Sequence, residues 1–300
     1  MKKILTIIAA VFTVLPMWAQ EPAKIQVAVG NVTFNMIEVQ GGRFNMGGTC
    51  EQLTAEDDEF PIHVVALDNF LIGETEVTQE LWLAVMGNNP SGFQGDLQHP
   101  VECVSWNECQ TFVSKLSGLT GIQFRLPTES EWEYAARGGI YTHYYVYSGS
   151  NDIDAVAWHD GDSTHRVAQL QPNELGIYDM SGNVFEWCQD WWGDYDMMPA
   201  ENPTGPETGD KSRVRRGGSW GGSTNGPRVS FRRYELEDIH YNYIGLRLAA
   251  NVLSNSLSSV DAITEPEQPK SVGRYNVAGQ PVDKDYKGIV IEDGVKKIAN

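Results

Sequence analysis

The segment from Asp179 to Glu186 has the residue types that calcium binding requires. Calcium takes hard oxygen ligands from carboxylates and backbone carbonyls in flexible loops. Asp179 and Glu186 supply two carboxylates, and Gly182 between them permits a turn in which carbonyl groups point inward. The same residues could instead form a turn in which both carboxylates accept backbone hydrogen bonds without a metal. We expect the calcium site.

The positions of cysteine and histidine restrict thiol and transition-metal chemistry. No cysteine follows Cys188, and none of the four cysteines has metal-site spacing with a histidine. Four cysteines allow three complete disulfide pairings, and no pairing is assigned to Cys50, Cys103, Cys109 and Cys188. The histidines show no close pair, so a metal site at His159, Asp160 and Asp162 is expected to be absent.

The elements that must position these residues are marked by helix caps. The predicted helices run from the cap at Thr78 to about Met86, from the capping box of Ser105 and Glu108 to Gly118, and from the capping box of Thr128 and Glu131 to Gly138–Gly139. Elsewhere the chain has 30 glycines, 14 prolines and 9 tryptophans. This composition predicts an α+β fold with short strands, long loops and aromatic rings in the core.

The net charge of the chain argues against nucleic acid as a partner. The chain has 300 residues and a formal net charge of -18, which indicates one large acidic domain with short appendages. Non-specific nucleic-acid binding needs clustered Lys and Arg, so no nucleic-acid partner is expected. One basic concentration exists, comprising Arg213, Arg215, Arg216, Arg228, Arg232 and Arg233. We expect these arginines to pair with Glu235, Glu237 and Asp238, and the alternative is a site for an anionic ligand.

The two ends of the chain have their own patterns. Residues 1–20 have two lysines, a short apolar run and small residues, which predicts a secretory signal peptide and an exported protein in the periplasm, at the cell surface or outside the cell. A retained membrane anchor is the alternative, but no further apolar run is long enough to span a bilayer, so no transmembrane segment is expected after signal cleavage. Residues 253–270 are rich in Ser, Glu and Pro, which predicts a linker.

Residues 271–300 regain β-prone runs, with Asp293–Gly294 as a hairpin signal. They predict a short β-rich C-terminal module. This module resembles the short C-terminal modules of secreted Bacteroidetes proteins, some of which are read by the type IX secretion system. It is either a sorting signal or a small autonomous β appendage.

Two long motifs and several short ones indicate a family. The long motifs are Arg125–Gly139 and Asn173–Trp187, and the short ones include Gly42–Gly47, Glu76–Thr78, His99–Val101, Val104–Trp106, Arg213–Arg233 and Tyr243–Arg247. Together they resemble the formylglycine-generating enzymes, also called sulfatase-modifying factors, in order from about Phe34 to Asn251. The resemblance covers most of the chain, and we assign residues 34–252 to such a domain. It implies an elaborated C-type-lectin-like α+β fold with low regular secondary structure.

The resemblance also implies what chemistry to expect. The family binds copper(I) with two cysteines and oxidises a cysteine of a client sulfatase, within a Cys-x-Pro-x-Arg motif, to formylglycine. The matching positions here are Gly222 and Pro227, so no copper is expected. The family's calcium loop corresponds to Asp179, Gly182, Val184 and Glu186, and its other calcium site, near Val156, is expected to be lost.

A vestigial cleft is expected where the family's reaction takes place. Ser219 and Trp220 would line it, with Asn225, Arg228 and Arg232 nearby; an aromatic face with hydrogen-bonding groups suits a peptide or glycan. The alternative is that Trp220 belongs to the core and Arg232 pairs with an acid. The leading hypothesis is an exported, non-catalytic domain that binds a protein, peptide or glycan. The alternative is an enzyme of the family with cysteine-independent chemistry, of which metal-dependent oxidation is one form.

Overall fold

The computed structural model describes residues 22–252 and, further on, the backbone of three strands at 275–276, 288–292 and 295–299. The predicted signal peptide and linker lie outside the described residues. By its internal contacts the chain divides into two compact units, with the division between Val252 and Leu253. Among the described residues, no helix has the length and apolar character needed to cross a membrane.

Four α-helices occur in residues 22–252, namely α1 (Gln79–Met86), α2 (Trp106–Thr120), α3 (Glu129–Ala136) and α4 (Ile153–Val156). The predicted caps of the first three are confirmed. The side chains of Thr78, Ser105 and Thr128 each accept a hydrogen bond from the backbone N–H three residues later. Both capping boxes are complete, since Glu108 and Glu131 accept from the N-cap backbone in return.

The predicted end of α2 at Gly118 is wrong, because the helix continues to Thr120. Gly121 takes the left-handed conformation at φ +77° and donates its N–H to the carbonyl of Ser117 at 2.8 Å. This bond closes the last turn, whereas Gly118 inside the helix costs only about 1 kcal/mol relative to alanine. A single glycine therefore did not end the helix, and the cap hydrogen bond decided where it stopped.

The strands of residues 22–252 are short. They are β1 (Lys24–Val29), β2 (Val32–Val39), β3 (Gly42–Met46), β4 (His63–Leu67), β5 (Phe70–Gly73), β6 (Phe124–Arg125), β7 (Ala157–Trp158), β8 (Ser181–Gly182), β9 (Phe185–Trp191), β10 (Ala200–Glu201), β11 (Ser212–Arg216), β12 (Arg232–Leu236), β13 (Ile244–Leu246) and β14 (Ala249–Asn251). They form a five-stranded sheet in the order β1-β2-β5-β14-β6, a three-stranded sheet β10-β4-β3, a four-stranded sheet β12-β11-β9-β13, and the pair β7-β8.

The four-stranded sheet positions the candidate site. β9 pairs antiparallel with β11 and parallel with β13, so that Phe185 lies opposite Ile244. The pairing of β11 with β9 shifts register between Arg213 and Arg215, as at a β-bulge. A bulge re-aims the side chains that follow it, and the turn that leaves β11 carries Ser219 and Trp220.

Large rings fill the core, as the composition predicts. Trp82, Trp132 and Trp187 are each at most 1% exposed, and Trp82 stacks on Phe112 with 4.9 Å between ring centroids. Every residue of α3 is buried, including its three glutamates. A fully buried helix with three acids requires positive partners, because unpaired charges inside a protein are costly.

The C-terminal unit contains β15 (Tyr275–Asn276), β16 (Gly288–Glu292) and β17 (Val295–Ala299) as an antiparallel sheet in that order. Glu292 lies opposite Val295. The predicted turn at Asp293–Gly294 lies outside the described residues, and a sorting role stays a prediction.

Candidate functional site

The segment from Asp179 to Glu186 turns sharply before it enters β9. Asp179, Gly182 and Asn183 have φ angles of +58°, +84° and +56°, all in the left-handed region. A Cβ on Gly182 would lie 2.3 Å from the carbonyl oxygen of Trp158, so only glycine fits beside β7. The sharp turn of this segment therefore depends on Gly182.

Three buried carboxyl groups lie near one buried guanidinium group beside this turn. The carboxyls belong to Glu76, Asp179 and Glu186, and the guanidinium to Arg247. Glu186 is the direct ion-pair partner, since Arg247 Nη2 lies 2.7 Å from its Oε1 and Arg247 Nε 2.9 Å from its Oε2. Trp132 Nε1 also donates to Glu186 Oε2 at 2.6 Å. The Arg247 guanidinium is thus the positive charge near all three carboxyl groups.

The excess of acids changes the ionisation of the other two. Burial raises the pKa of Asp179 to about 6, and the charge of Glu186 adds to the rise against hydrogen bonding by Ala168 and the charge of Arg247. Burial also raises the pKa of Glu76 well above its usual range, with the charges of Asp179 and Glu186 as further causes. A divalent cation here would reverse these shifts by balancing the negative charge.

The fit to calcium differs among the four predicted ligands. Asp179 Oδ2 accepts from the N–H of Ala168 at 2.7 Å, while Oδ1 has no hydrogen-bond partner in the described part of the chain. Both oxygens of Glu186 already accept hydrogen bonds. Among the described residues, no group of three or more His, Cys, Asp or Glu side chains could hold a metal. The predicted calcium ligands are of another kind, since two of the four are the backbone carbonyls of Gly182 and Val184.

Ser219 and Trp220 lie beside the Asp179–Glu186 segment. Gly182 donates its N–H to the carbonyl of Gly217, and Trp220 donates its N–H to the carbonyl of Asn183, both at 2.7 Å. Within the turn, a Cβ on Gly218 would lie 2.6 Å from the backbone of Gly226. The two predicted sites are therefore adjacent, and the turn closes tightly on itself.

The ring of Trp220 is partly exposed and belongs to a larger aromatic surface. Its Nε1 donates to the carbonyl of Asn242 at 3.0 Å, and Phe93 contacts it edge-on with 5.2 Å between centroids. The residues that flank Asn242 in the sequence, Tyr241 and Tyr243, stack on each other with 5.0 Å between ring centroids. The ring centroid of Phe185 lies 6.4 Å from that of Tyr243. We call this group the aromatic surface, consisting of Phe93, Phe185, Trp220, Tyr241 and Tyr243.

Arg228 is bound into the fold by a buried ion pair. Its Nη2 lies 2.5 Å from Glu59 Oε1 and its Nη1 2.8 Å from Oε2, and both side chains are at most 2% exposed. Its Nε donates to Asn225 Oδ1 at 2.8 Å. Asn225 in turn donates to Glu56 Oε1 at 2.9 Å. These contacts tie the Ser219–Pro227 turn to the loop around Glu59.

Arg232 is also buried, in a different place from Trp220. Its Nε and Nη2 lie 2.8 and 2.7 Å from the two oxygens of Glu129. Its guanidinium lies 4.2 Å from the ring centroid of Trp192 and 3.9 Å from that of Tyr195. The ion pairs of Arg228 and Arg232 favour structural roles, while ligand binding by the five predicted residues stays a prediction.

The predicted acidic partners of the basic cluster are wrong for every arginine except Arg213. Arg213 lies 3.5 Å from Glu237, as predicted. The acidic partners of Arg216, Arg228, Arg232 and Arg233 instead are Glu56, Asp58, Glu59, Glu129 and Glu133. These acids come from α3 and from the loop before β4. Arg216 and Arg232 are buried against the glutamates of α3, and Arg228 is buried against Glu59. Asp238, by contrast, is exposed.

The four cysteines are free thiols, and three of them are held in the protonated form. Burial and the neighbouring Glu102 raise the pKa of Cys103 to about 12. Burial raises the pKa of Cys109 and Cys188 well above the usual range. Because the thiolate is the nucleophile and the metal ligand, these three side chains are poorly suited to either role.

The histidines lie in separate polar contacts. His63 Nδ1 lies 3.0 Å from the carbonyl of Pro61, and His99 Nδ1 lies 3.0 Å from Thr164 Oγ1. His159 lies between Asp154 and Asp160, at 3.1 and 3.3 Å.

Two site residues were missed by the sequence reasoning. Glu76 and Arg247 complete the buried cluster around Asp179. Both fall within short family motifs, but the sequence predicts no site role for either. Their distance along the chain from Asp179 gives no local signal of contact.

Comparison with known proteins identifies the family of this chain. Residues 24–252 match the model of the sulfatase-modifying factor enzyme 1-like domain. The chaperone protein LppX of Paenibacillus barcinonensis is 34% identical, with 67% of this chain and 85% of that protein covered. The formylglycine-generating enzyme of Streptomyces coelicolor is 30% identical, with 72% and 89% covered.

A solved structure, Treponema denticola variable protein 1, superposes with a TM-score of 0.70 at 33% identity, covering 77% of this chain and all of that one. The fold is the expected elaborated C-type-lectin-like α+β fold with mostly short strands. From the matched length and the shared motifs, this chain belongs to the sulfatase-modifying-factor family, which includes the formylglycine-generating enzymes.

Proposed function

We propose that the protein is an exported binding domain of this family that does not oxidise thiols. The observation that carries this proposal is the Ser219–Pro227 turn, in which Gly222 and Pro227 stand at the two positions matched to the copper-binding cysteines. Neither residue has a sulfur atom, and copper(I) requires soft ligands. Gly222 serves the turn itself, donating its N–H to the carbonyl of Ser219 at 3.0 Å.

The remaining thiols do not replace the missing pair. Cys103, Cys109 and Cys188 have raised pKa values, and Cys50 is a single exposed thiol. A mixed disulfide with a client would need a reactive thiolate, and a copper site would need more than one ligand. The charge and burial of these groups therefore support a role without thiol oxidation.

The aromatic surface supports a binding role. Four of its five residues are half-buried, and Tyr241 is 40% exposed. Arg215 lies against it, 4.1 Å from the ring centroid of Phe185, and its Nη1 is buried without a hydrogen-bond partner. Aromatic side chains with a nearby arginine are enriched where proteins bind partners. The relative described as a chaperone protein is consistent with a binding role for this chain.

Binding to immobilised peptides and glycans tests this role, with Trp220→Ala as the variant. Leu53, which is 91% exposed, supplies the matched control Leu53→Ala. We expect a ligand whose affinity falls about ten-fold or more in Trp220→Ala and stays unchanged in the control, as for an interface hot spot. Equal binding by Trp220→Ala and the unmodified protein would contradict a role for this surface.

We further propose calcium at Asp179, Gly182, Val184 and Glu186. The unpartnered Oδ1 of Asp179 and the excess of buried acids support it. Bound calcium would balance the buried negative charge of the Asp179–Glu186 loop, which hydrogen-bonds to the turn that carries Trp220. Metal analysis of the purified protein separates the candidates: stoichiometric calcium alone agrees with a binding domain, whereas stoichiometric copper or iron would favour an enzyme.

A further inference from the structure

A cavity of about 280 Å³ lies at the opposite end of β9 from the aromatic surface. Asp190 and Trp191, at the end of the strand, line it, together with Tyr195 and Arg232. Phe185 begins the strand, and five residues of extended chain separate it from Asp190 by about 16 Å. The cavity is therefore a separate site from the turn that carries Trp220.

Asp190 is the unusual residue in this cavity. It is only 3% exposed, and its Oδ2 accepts from the N–H of Glu129 at 2.9 Å. Its Oδ1 has no hydrogen-bond partner among the described residues. By contrast, the buried acids Glu59, Glu129 and Glu133 each pair with an arginine. A buried carboxyl with a free oxygen at a cavity wall is positioned to receive a group from outside.

The charges around the cavity favour a cation. Asp194 and Asp196 are exposed acids that line it, and its single arginine, Arg232, already pairs with Glu129. Its histidine, His63, lies with Nδ1 3.0 Å from the carbonyl of Pro61. An anionic ligand would meet three aspartates without a free positive partner.

The aromatic rings of the cavity already contact other side chains. The guanidinium of Arg213 lies 3.1 Å from the ring centroid of Trp191, and a Cβ on Gly209 would lie 2.8 Å from the same ring. Arg232 and His63 lie 3.9 and 4.7 Å from the ring of Tyr195. Since sugars stack on open ring faces, these contacts disfavour stacking of a sugar on either ring. Met46, Met198 and Pro206 also line the cavity and give it an apolar wall.

We propose that this cavity binds a primary ammonium group carried on an unbranched aliphatic chain, with the Asp190 carboxylate as its partner. The ammonium would donate to Asp190 Oδ1, and the chain would lie along the methionine and proline side chains. A free alkylamine and a lysine side chain of a peptide share this chemistry. The proposal does not depend on the binding role of the aromatic surface.

The ionisation of Asp190 gives the site a measurable pH dependence. Burial, followed by the charge of Glu129, raises the pKa of Asp190 well above the usual range. The charged groups that face it are Glu129 and Glu131 from α3, Arg232 from β12 and Arg213 from β11. An ammonium favours the ionised carboxylate, so binding should release a proton and tighten as the pH rises.

Calorimetric titration of the purified protein with n-pentylamine tests the proposal, with 1-pentanol as the uncharged control. We expect pentylamine to bind more tightly at about pH 9 than at about pH 6, and pentanol to bind much more weakly at both. An acetylated Gly-Lys-Gly amide, compared with the same peptide containing norleucine, tells whether the site also accepts a lysine side chain. Binding of pentylamine alone would assign the site to small amines, and binding of both would extend it to peptides.

Two variants complete the test. Asp190→Asn keeps an acceptor for the Glu129 N–H and should weaken pentylamine binding about ten-fold or more, as expected for loss of a charged hydrogen-bond partner. Asp194→Asn, at the exposed rim, should weaken it by less than about five-fold. Unchanged affinity in Asp190→Asn, equal binding of pentanol, or no binding of pentylamine at about 10 mM would each overturn the proposal.

Discussion

Replacing Arg228 with methionine tests whether this arginine stabilises the fold. The guanidinium and the Glu59 carboxylate make two parallel hydrogen bonds of 2.5 and 2.8 Å in a site where both side chains are at most 2% exposed. Methionine fills similar space but leaves Glu59 with Ser230 and the backbone N–H of Glu56 as its remaining donors. The variant therefore buries an uncompensated negative charge.

Breaking a buried ion pair by removing one partner costs about 3–5 kcal/mol. For a domain of this size, each kcal/mol lowers the melting temperature by about 2–4 °C, so the expected fall is roughly 6–20 °C. Thermal unfolding followed by circular dichroism, with urea unfolding as a second measurement, gives the change. Arg43→Met is the matched control, because its ion pair with Glu201 spans 3.8 Å with both side chains more than two-thirds exposed; no measurable change is expected there.

A double variant separates charge from shape. Glu59→Leu with Arg228→Met removes both charges, and it should recover part of the stability lost in Arg228→Met, since no unpaired charge remains. A loss below about 1 kcal/mol in Arg228→Met would refute the structural role and return the residue to the ligand-binding candidates.

The Arg228–Glu59 ion pair also predicts how the free energy of unfolding changes at acid pH. Burial would raise the pKa of Glu59, but hydrogen bonds from Arg228 and Ser230 outweigh it and hold the pKa below its usual range. The stabilisation is therefore complete above the unfolded pKa of about 4.3 and is lost as the pH falls through the lower folded value. In Arg228→Met the folded pKa of Glu59 should rise because burial is no longer offset, so the loss of stability at acid pH should shrink or reverse. Urea unfolding of both proteins between about pH 2 and 6 would measure this difference.

Three further predictions concern the Asp179–Glu186 loop. Calcium should raise the melting temperature of the unmodified protein, and Asp179→Ala should abolish that rise; an undiminished rise would remove Asp179 from the site. Because the folded pKa of Asp179 is raised to about 6, its contribution to stability without calcium is present below its unfolded pKa of about 3.9 and is lost as the pH rises through about 6. Calcium should restore this loss, as melting curves with and without calcium at both ends of that range would show. Gly182→Ala places a methyl group 2.3 Å from the Trp158 carbonyl at a φ of +84°, so a loss of at least about 2 kcal/mol is expected by urea unfolding, whereas Gly87→Ala, at +80° with open space, should lose less.

Local rules predicted the elements that carry their own signals. Thr78, Ser105 and Thr128 began helices where they were expected because capping needs only neighbouring residues. The end of α2 was placed too early because a glycine inside a helix costs little. For the same reason, a single glycine is a weak stop signal without its cap hydrogen bond.

The partners of the arginines could not be predicted in the same way. Arg216 and Arg232 meet Glu129, which lies 87 and 103 residues earlier in the chain, and no local pattern specifies this contact. The helix signature around Trp132 predicted a buried face, but the complete burial of α3 became visible only with the sheet packed against it. Family resemblance located the Asp179 loop, while its neighbours Glu76 and Arg247 required the fold.

Incubation with a peptide that carries the sulfatase Cys-x-Pro-x-Arg motif tests the central claim most directly. The protein, copper(I), a reductant and oxygen are combined with the peptide, and the product is measured by mass spectrometry beside a formylglycine-generating enzyme that has both cysteines. Because Gly222 and Pro227 offer no thiolate, the peptide cysteine should remain unchanged while the control enzyme forms the aldehyde. Formation of formylglycine by this protein would contradict the account.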